Sequence, residues 1–376
     1  MEKGGSKGKG ENPEQCFDVP RALAERGITR RDFMKFCTAM SAALALPMTL
    51  VPRIAAALES DARPSIIWLE FQSCTGDTEA LLRAANPTVG EIILDVLSID
   101  YAETIMAAAG HQAEEARAKT VKESRGKYIA IVEGAVPMKD GGIYCCIGGR
   151  SALDIVREVC GGALATITVG TCASYGGIPA AAPNPTGAVG VKEAVPGATV
   201  INLPGCPVNT DNLVATVVHF LTFGKLPAVD GKGRPLFAYG KRIHDNCERR
   251  PHFDAGQYVE SWGSEAHRSG HCLYKMGCKG PETFHNCPVQ RYNEKTSWPV
   301  GSGHGCAGCS EPQFWDTMTP FYRRLPNVPG FGIETTADKI GTGLAVATAA
   351  AFAAHGVVSG FRHKDDESKD GKGGNQ

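Results

Sequence analysis

Between residues 64 and 223, short β-branched apolar runs alternate with longer stretches whose apolar positions recur every three or four residues. The runs predict strands at 66–71, 92–97, 128–132, 165–169 and 199–203, and the periodic stretches predict helices at 78–85, 104–119, 151–159 and 209–223. Such alternation implies a parallel sheet with helices on both faces. The expected class is α/β, a flavodoxin-like doubly wound parallel sheet spanning residues 58–224. No G-x-G-x-x-G follows the first strand, so a nucleotide or flavin site there is disfavoured.

Beyond Gly224 the periodic apolar runs fade, and Gly, Pro, His, Cys and aromatic residues accumulate through Ser310. A segment with so little ordinary core needs another source of cohesion, and bound metal is the obvious one. Residues 225–335 are therefore expected to form an irregular, cluster-holding domain.

The two ends read differently. Thr29-Arg30-Arg31-Asp32-Phe33-Met34-Lys35, a mildly apolar stretch over 36–51 and Ala55-Ala56-Ala57 resemble a twin-arginine export signal occupying residues 1–57, with cleavage expected after Ala57; an amphipathic helix with two chance arginines is the alternative. At the other end, residues 340–361 are interrupted only by His355 and followed by Arg362-His363-Lys364. That length suits a C-terminal membrane helix with its basic flank on the cytoplasmic side and a polar, disordered tail, within residues 336–376. A buried soluble helix is the alternative. An exported, membrane-anchored protein on the outer face of the cytoplasmic membrane is expected.

Charge excludes one class of partner. With 39 basic against 40 acidic residues there is no field to steer the chain toward nucleic acid. Fourteen cysteines, most in Gly- and Pro-rich loops and several beside histidine, favour metal ligation over disulfides. Cys74, Cys172 and Cys206 each follow a predicted strand, and open parallel sheets gather ligands outside their carboxyl ends. A second set comprises His244, Cys247, Cys272 and Cys278, and a third Cys287, Cys306 and Cys309. Thiolates with an occasional imidazole suit zinc or iron-sulfur clusters. Three thiolates make a poor closed shell for structural zinc but suffice for a three-iron cluster.

Together the motifs resemble the small subunit of membrane-bound nickel-iron hydrogenases, over nearly the whole chain. They are C-T-G-x-T-E at Cys74 to Glu79, Glu133-Gly134 before Pro137, G-T-C-A-S at Gly170 to Ser174, P-G-C-P at Pro204 to Pro207, R-I-H-D-x-C at Arg242 to Cys247, and Tyr274 to Pro281. The resemblance implies two 4Fe-4S clusters and one 3Fe-4S cluster. A proximal four-iron cluster would be held by Cys74, Cys172, Cys206 and the residue at 77, a distal one by His244, Cys247, Cys272 and Cys278, and a medial three-iron cluster by Cys287, Cys306 and Cys309. Pro299 stands where a fourth medial ligand would otherwise be. The resemblance further implies a large subunit holding the nickel-iron centre, and a b-type cytochrome that passes electrons from hydrogen oxidation to quinone. Competing readings are an iron-sulfur subunit of another oxidoreductase, such as a relative of the cluster-carrying subunit of respiratory complex I, and a zinc-binding scaffold.

Ser73-Cys74-Thr75-Gly76-Asp77-Thr78-Glu79 resembles a C-x-x-C whose second cysteine is Asp77. One oxygen-insensitive branch of the family has aspartate as fourth proximal ligand, so Asp77 is expected to ligate, with oxygen exposure part of the working life. Some oxygen-tolerant relatives instead add two cysteines, at positions matching Gly76 and Gly177. Cys145 and Cys146 are the rivals to Asp77. Cys160 is expected to be a buried free thiol, and Cys16 and Cys37 fall in the leader. Glu79 and Glu133 are further carboxylates that the family places nearby, with helix capping or surface roles the alternative.

Overall fold

Five strands form one sheet: β1 (Ser65–Glu70), β2 (Ser98–Ala102), β3 (Ile129–Glu133), β4 (Ala165–Val169) and β5 (Val200–Leu203). The computed structural model describes residues 29–58, 63–84, 88–92, 97–293, 295–325 and 337–370. All four pairings are parallel and the strand order is β2-β1-β3-β4-β5, the flavodoxin-like order. Strand order reverses between β1 and β3, whose last residues, Glu70 and Glu133, are register partners.

Successive side chains on a strand point to opposite faces. Ile66, Trp68, Ile129, Ile131, Ile167 and Val169 accordingly enter one core, and Ile67, Leu69, Ala130 and Val132 the other. Among the described helices are α1 (Arg30–Ala43), α2 (Val51–Leu58), α3 (Gly76–Leu82), α4 (His111–Glu123), α5 (Ala152–Gly162), α6 (Gly170–Tyr175), α7 (Thr210–Phe223) and α8 (Ala337–Asp370). Leu213, Val214, Val217 and Val218 of α7 close the first core; Leu153, Ile155, Val156 and Val159 of α5, with Val121 of α4, close the second.

The second strand of the sheet lies at Ser98–Ala102; of the expected run 92–97 only Ile92 and Leu97 are described, and neither is in a strand. Ile92 lies in a helical turn, its N–H donating to Thr88 O at 3.0 Å, and Leu97 N–H donates to Ile92 O at 2.9 Å. Residues 93–96 lie outside the described part. A short apolar run fits a buried strand and a buried helical turn equally well by periodicity. The true β2 is an edge strand carrying Ser98 and Asp100, the latter accepting from Thr120 Oγ1 at 2.8 Å, so its polar residues hid it.

Residues 30–58 pack into the first core. Phe33, Cys37, Met40 and Leu44 of the α1 region and Val51, Ile54 and Ala55 of α2 are buried there, and Arg53 sits 5.0 Å from the Phe223 ring centroid. Arg30 and Arg31 stay exposed at the start of α1, where Thr29 Oγ1 accepts the Asp32 N–H at 3.2 Å. Cys16 lies outside the described residues.

From residue 225 to 325 the chain is mostly turns and short helices around small cores. One contains Ile243, Val259, Leu273, Trp298 and Val300 together with Cys287 and Cys306. At the C-terminus α8 forms and continues past Lys364 to Asp370, where a disordered tail was expected. Among the described residues, however, no helix is long and apolar enough to cross a membrane. Gly341, Thr342, Gly343, Thr348, His355 and Gly356 dilute the apolar character of the expected span.

Candidate metal centre

The loops leaving β1, β4 and β5 converge at the reversal point. Cys74 precedes α3, Cys172 lies within α6, and Cys206 lies between β5 and α7. Burial raises the Cys206 thiol to about 12, and the neighbouring Cys309, Cys172, Asp77 and Cys74 push in the same direction. Burial likewise raises Cys172 to about 11, with Asp77, Cys74 and Glu133 adding to it. These four candidate residues therefore share one neighbourhood. Two glycines crowd their sulfurs: a Cβ at Gly76 would stand 3.0 Å from Cys74 Sγ, and one at Gly177 would stand 2.6 Å from Cys172 Sγ. Both glycines thus stand directly against the candidate site.

Asp77 is 8% exposed, and its Oδ1 accepts the Val208 N–H at 2.6 Å, tying α3 to the loop after β5. Oδ2 lies against Gly170, whose φ of +79° and lack of Cβ make room for it. Burial, and then the charge of Glu133, raise the Asp77 carboxyl to about 7. Glu133 is fully buried and caps the start of α3, accepting Asp77 N–H at 3.2 Å and Thr78 N–H at 2.9 Å. Thr78 Oγ1 lies 2.6 Å from Glu133 Oε2 and 3.1 Å from Glu70 Oε1. Glu79, by contrast, is exposed and pairs with Arg83 at 2.8 Å. Cys145 lies beside Glu103 and Cys146, Cys146 is exposed, and Cys160 is buried in the core on α5.

The third set opens directly from the first. Thr171 Oγ1, one residue before Cys172, donates to Cys309 O, and Cys309 is among the groups whose charge bears on Cys206. Gly76, Cys206, Cys287, Pro299, Cys306 and Cys309 are among the residues lining one cavity of about 770 Å³. The second set follows from the third: Cys306 N–H donates to Cys278 Sγ at 3.3 Å. His244, Cys247, Cys272 and Cys278 line a further small cavity. Burial, helped by Arg250, lowers His244 to about 4, which keeps its imidazole neutral and able to ligate. Burial raises Cys247 to about 11 and Cys272 to about 12.

Among the described residues no three His, Cys, Asp or Glu side chains stand close enough to share one metal ion. Ligands of a multi-iron cluster stand wider apart than those of a single ion, so this spacing remains open to a cluster. Thiol-rich sets, one with a histidine, match iron-sulfur chemistry, and raised thiols mean that loading must release protons.

Some participants were not singled out from sequence. His285 contacts Cys287, and Arg234 braces the chain after Cys309 through Glu311, at 2.9 Å. A histidine two residues before a candidate ligand was the available signal for the first. Nothing local marked the second, because Arg234 and Glu311 are 77 residues apart.

Residues 74–220 match the family model of the 20 Kd NADH ubiquinone oxidoreductase chain, and residues 239–322 match that of the C-terminal part of the NiFe/NiFeSe hydrogenase small subunit. By the first match residues 74–220 are similar to a subunit of an oxidoreductase; the second match narrows the likeness. The chain is 46% identical over 349 residues to the uptake hydrogenase small subunit of Azotobacter vinelandii, covering 93% of this chain and 96% of the relative. It is 48% identical over 354 residues to the quinone-reactive Ni/Fe-hydrogenase small chain of Wolinella succinogenes, covering 92% and 99%. A chain of the Ni-Fe-Se hydrogenase from Desulfomicrobium baculatum superposes with a TM-score of 0.66 at 34% identity, over 70% of this chain and all of that one. The chain belongs to the small subunits of nickel-iron hydrogenases. Such subunits carry iron-sulfur clusters and pair with a large subunit, where the catalytic centre lies.

Proposed function

We propose that this chain takes electrons from hydrogen oxidation in its large subunit and delivers them, through three iron-sulfur sites, to a membrane b-type cytochrome and quinone. Cys74, Asp77, Cys172 and Cys206 would hold a proximal four-iron cluster, Cys287, Cys306 and Cys309 a medial three-iron cluster, and His244, Cys247, Cys272 and Cys278 a distal four-iron cluster. Clusters of this kind supply one-electron carriers whose potentials follow charge, burial and hydrogen bonds to sulfur. The observation that carries the reading is continuity. Cys206 shares one cavity with Cys287, Cys306 and Cys309, and Cys306 N–H donates to Cys278 Sγ at 3.3 Å, so the three ligand sets adjoin in the order proximal, medial, distal. Separate structural zinc staples would have no need of such a line.

Asp77 supplies a harder, less polarisable oxygen donor than thiolate, and its burial beside Glu133 favours it as a ligand over Cys145 or Cys146. An oxygen-exposed working life is part of the proposal, without the extra cysteines that Gly76 and Gly177 exclude. The exposed Arg30 and Arg31 suit recognition by a twin-arginine export system. Leu344, Val346, Phe352 and Val357 are all exposed on α8, which supports a role for that helix in meeting the membrane cytochrome. The uptake direction and quinone as acceptor follow the likeness to the uptake hydrogenase of Azotobacter vinelandii and the quinone-reactive hydrogenase of Wolinella succinogenes.

Co-purification tests the assignment. A nickel-bearing large subunit should accompany this chain, and the pair should reduce a dye with hydrogen. A chain isolated alone with zinc and without acid-labile sulfide would overturn it.

A further inference from the structure

His285 Nδ1 lies 2.9 Å from Cys287 Sγ, and both residues are buried. A cysteine that ligates iron is a thiolate, and a thiolate can only accept a hydrogen bond. The proton in this contact must then sit on Nδ1, which fixes the tautomer and leaves Nε2 as a bare acceptor. Nε2 is buried and has no hydrogen-bond partner among the described residues. An orphaned lone pair is better tolerated in such a place than an orphaned N–H, so burial favours the same tautomer. Arg234, nearby, adds to the burial that keeps the ring neutral.

The ring has little freedom to turn away. Tyr239 stands edge-on to it, with centroids 4.9 Å apart and planes at 88°, and Tyr239 is itself pinned by its hydroxyl donating to Pro204 O at 2.8 Å. On either side, Phe284 N–H donates to Glu311 Oε1 at 2.8 Å, and Asn286 exchanges side-chain hydrogen bonds with Asn212 at 2.8 and 3.0 Å.

We propose that His285 is a positioning residue for the medial site, donating its Nδ1–H to the Cys287 sulfur and so raising the reduction potential of the cluster that Cys287 helps hold. The inference rests on the medial-cluster reading above. A hydrogen bond withdraws negative charge from the sulfur, and this favours the reduced, more negative state of the cluster.

The test is a potentiometric titration of the oxidised three-iron electron paramagnetic resonance signal in the purified heterodimer. It compares the unaltered protein with His285→Leu and His285→Asn. In His285→Leu the signal should persist with its midpoint shifted negative by roughly a tenfold change in the reduction equilibrium, about 59 mV for one electron. His285→Asn can place an amide N–H near the Nδ1 position and should recover most of the shift. An unmoved midpoint, or equal shifts in both variants, would overturn the inference while leaving the medial site intact. A second readout needs no variant: the oxidised cluster should couple to an exchangeable proton that disappears in D2O. Absence of that coupling, or nitrogen coupling of the size given by an imidazole bound directly to iron, would also overturn it. No three-iron signal in the unaltered protein would remove the medial-cluster reading itself, and this inference with it.

Discussion

Arg234→Met should be among the most damaging substitutions outside the ligands. Arg234 is 2% exposed; its Nε donates to Asp230 Oδ2 at 2.8 Å and its Nη1 to Glu311 Oε1 at 2.9 Å, with the guanidinium packed over the rings of Tyr239 and Phe284. Its turn is fixed to the edge of the sheet, since Asn202 N–H donates to Gly233 O at 2.8 Å. Glu311 follows Cys309 by two positions, so the pair fastens the medial segment to β5. Removing one member of a buried pair costs about 3–5 kcal/mol, because the other charge is left uncompensated. Here Glu311 keeps the half-exposed Lys232 at 2.7 Å and the Phe284 N–H at 2.8 Å, which argues for the lower end. A loss of about 3 kcal/mol corresponds to a fall of about 6–12 °C in the unfolding midpoint of a domain this size. Calorimetry of the heterodimer measures it. Arg234→Met combined with Glu311→Leu should recover much of the loss, since an apolar replacement of both partners is often neutral. A single-variant loss below about 1 kcal/mol, or a double variant as unstable as the sum of its parts, would refute the role given to this pair.

Gly170→Ala should disrupt the proximal site selectively. The positive φ disfavours any side chain, by about 1–3 kcal/mol, and the new Cβ would overlap the Asp77 carboxylate; iron content and the proximal spectrum should fall before the other two signals do. Metal-stripped protein should lose stability as pH rises. Asp77 has an ordinary value of 3.8 and is raised to about 7 in the fold by burial and by Glu133. Its contribution is therefore complete below about 3.8 and lost on passing through about 7, roughly 4 kcal/mol in all. Urea unfolding between pH 4 and 8 should show that slope, and Asp77→Asn should flatten it; a slope unchanged in Asp77→Asn would assign it to other groups. Glu133→Leu should cost about 2 kcal/mol by leaving the Asp77 and Thr78 N–H groups at the start of α3 without their acceptor, which thermal unfolding would register.

The strand-end cysteines were legible because topology does the work. Once β1, β4 and β5 are read as parallel strands of one sheet, Cys74, Cys172 and Cys206 must emerge at one edge. The medial and distal sets were legible as groups of ligand-type residues, but the cavity shared by Cys206 and Cys309 and the Cys306–Cys278 hydrogen bond depend on turns with no periodic signal. The second strand was misplaced because residues 92–97 are more apolar than the polar edge strand beside them. The packing of α1 against α7 was hidden for a related reason: Phe33, Cys37, Met40 and Leu44 recur at helical spacing, yet a leader's apolar stretch carries the same pattern. For Asp77, sequence could suggest an oxygen ligand but not the bond to Val208 or the burial beside Glu133, which arise from chain segments more than fifty residues away.

The central claim is that Asp77 and three cysteines hold one four-iron cluster at the head of a three-cluster line. Mössbauer and electron paramagnetic resonance spectra of the purified heterodimer, unaltered and as Asp77→Cys, test it most directly. Two four-iron clusters and one three-iron cluster are expected in the unaltered protein, with the proximal signals alone altered by Asp77→Cys. Proximal signals indistinguishable between the two proteins would contradict ligation by Asp77, and zinc without sulfide would contradict the line of clusters altogether.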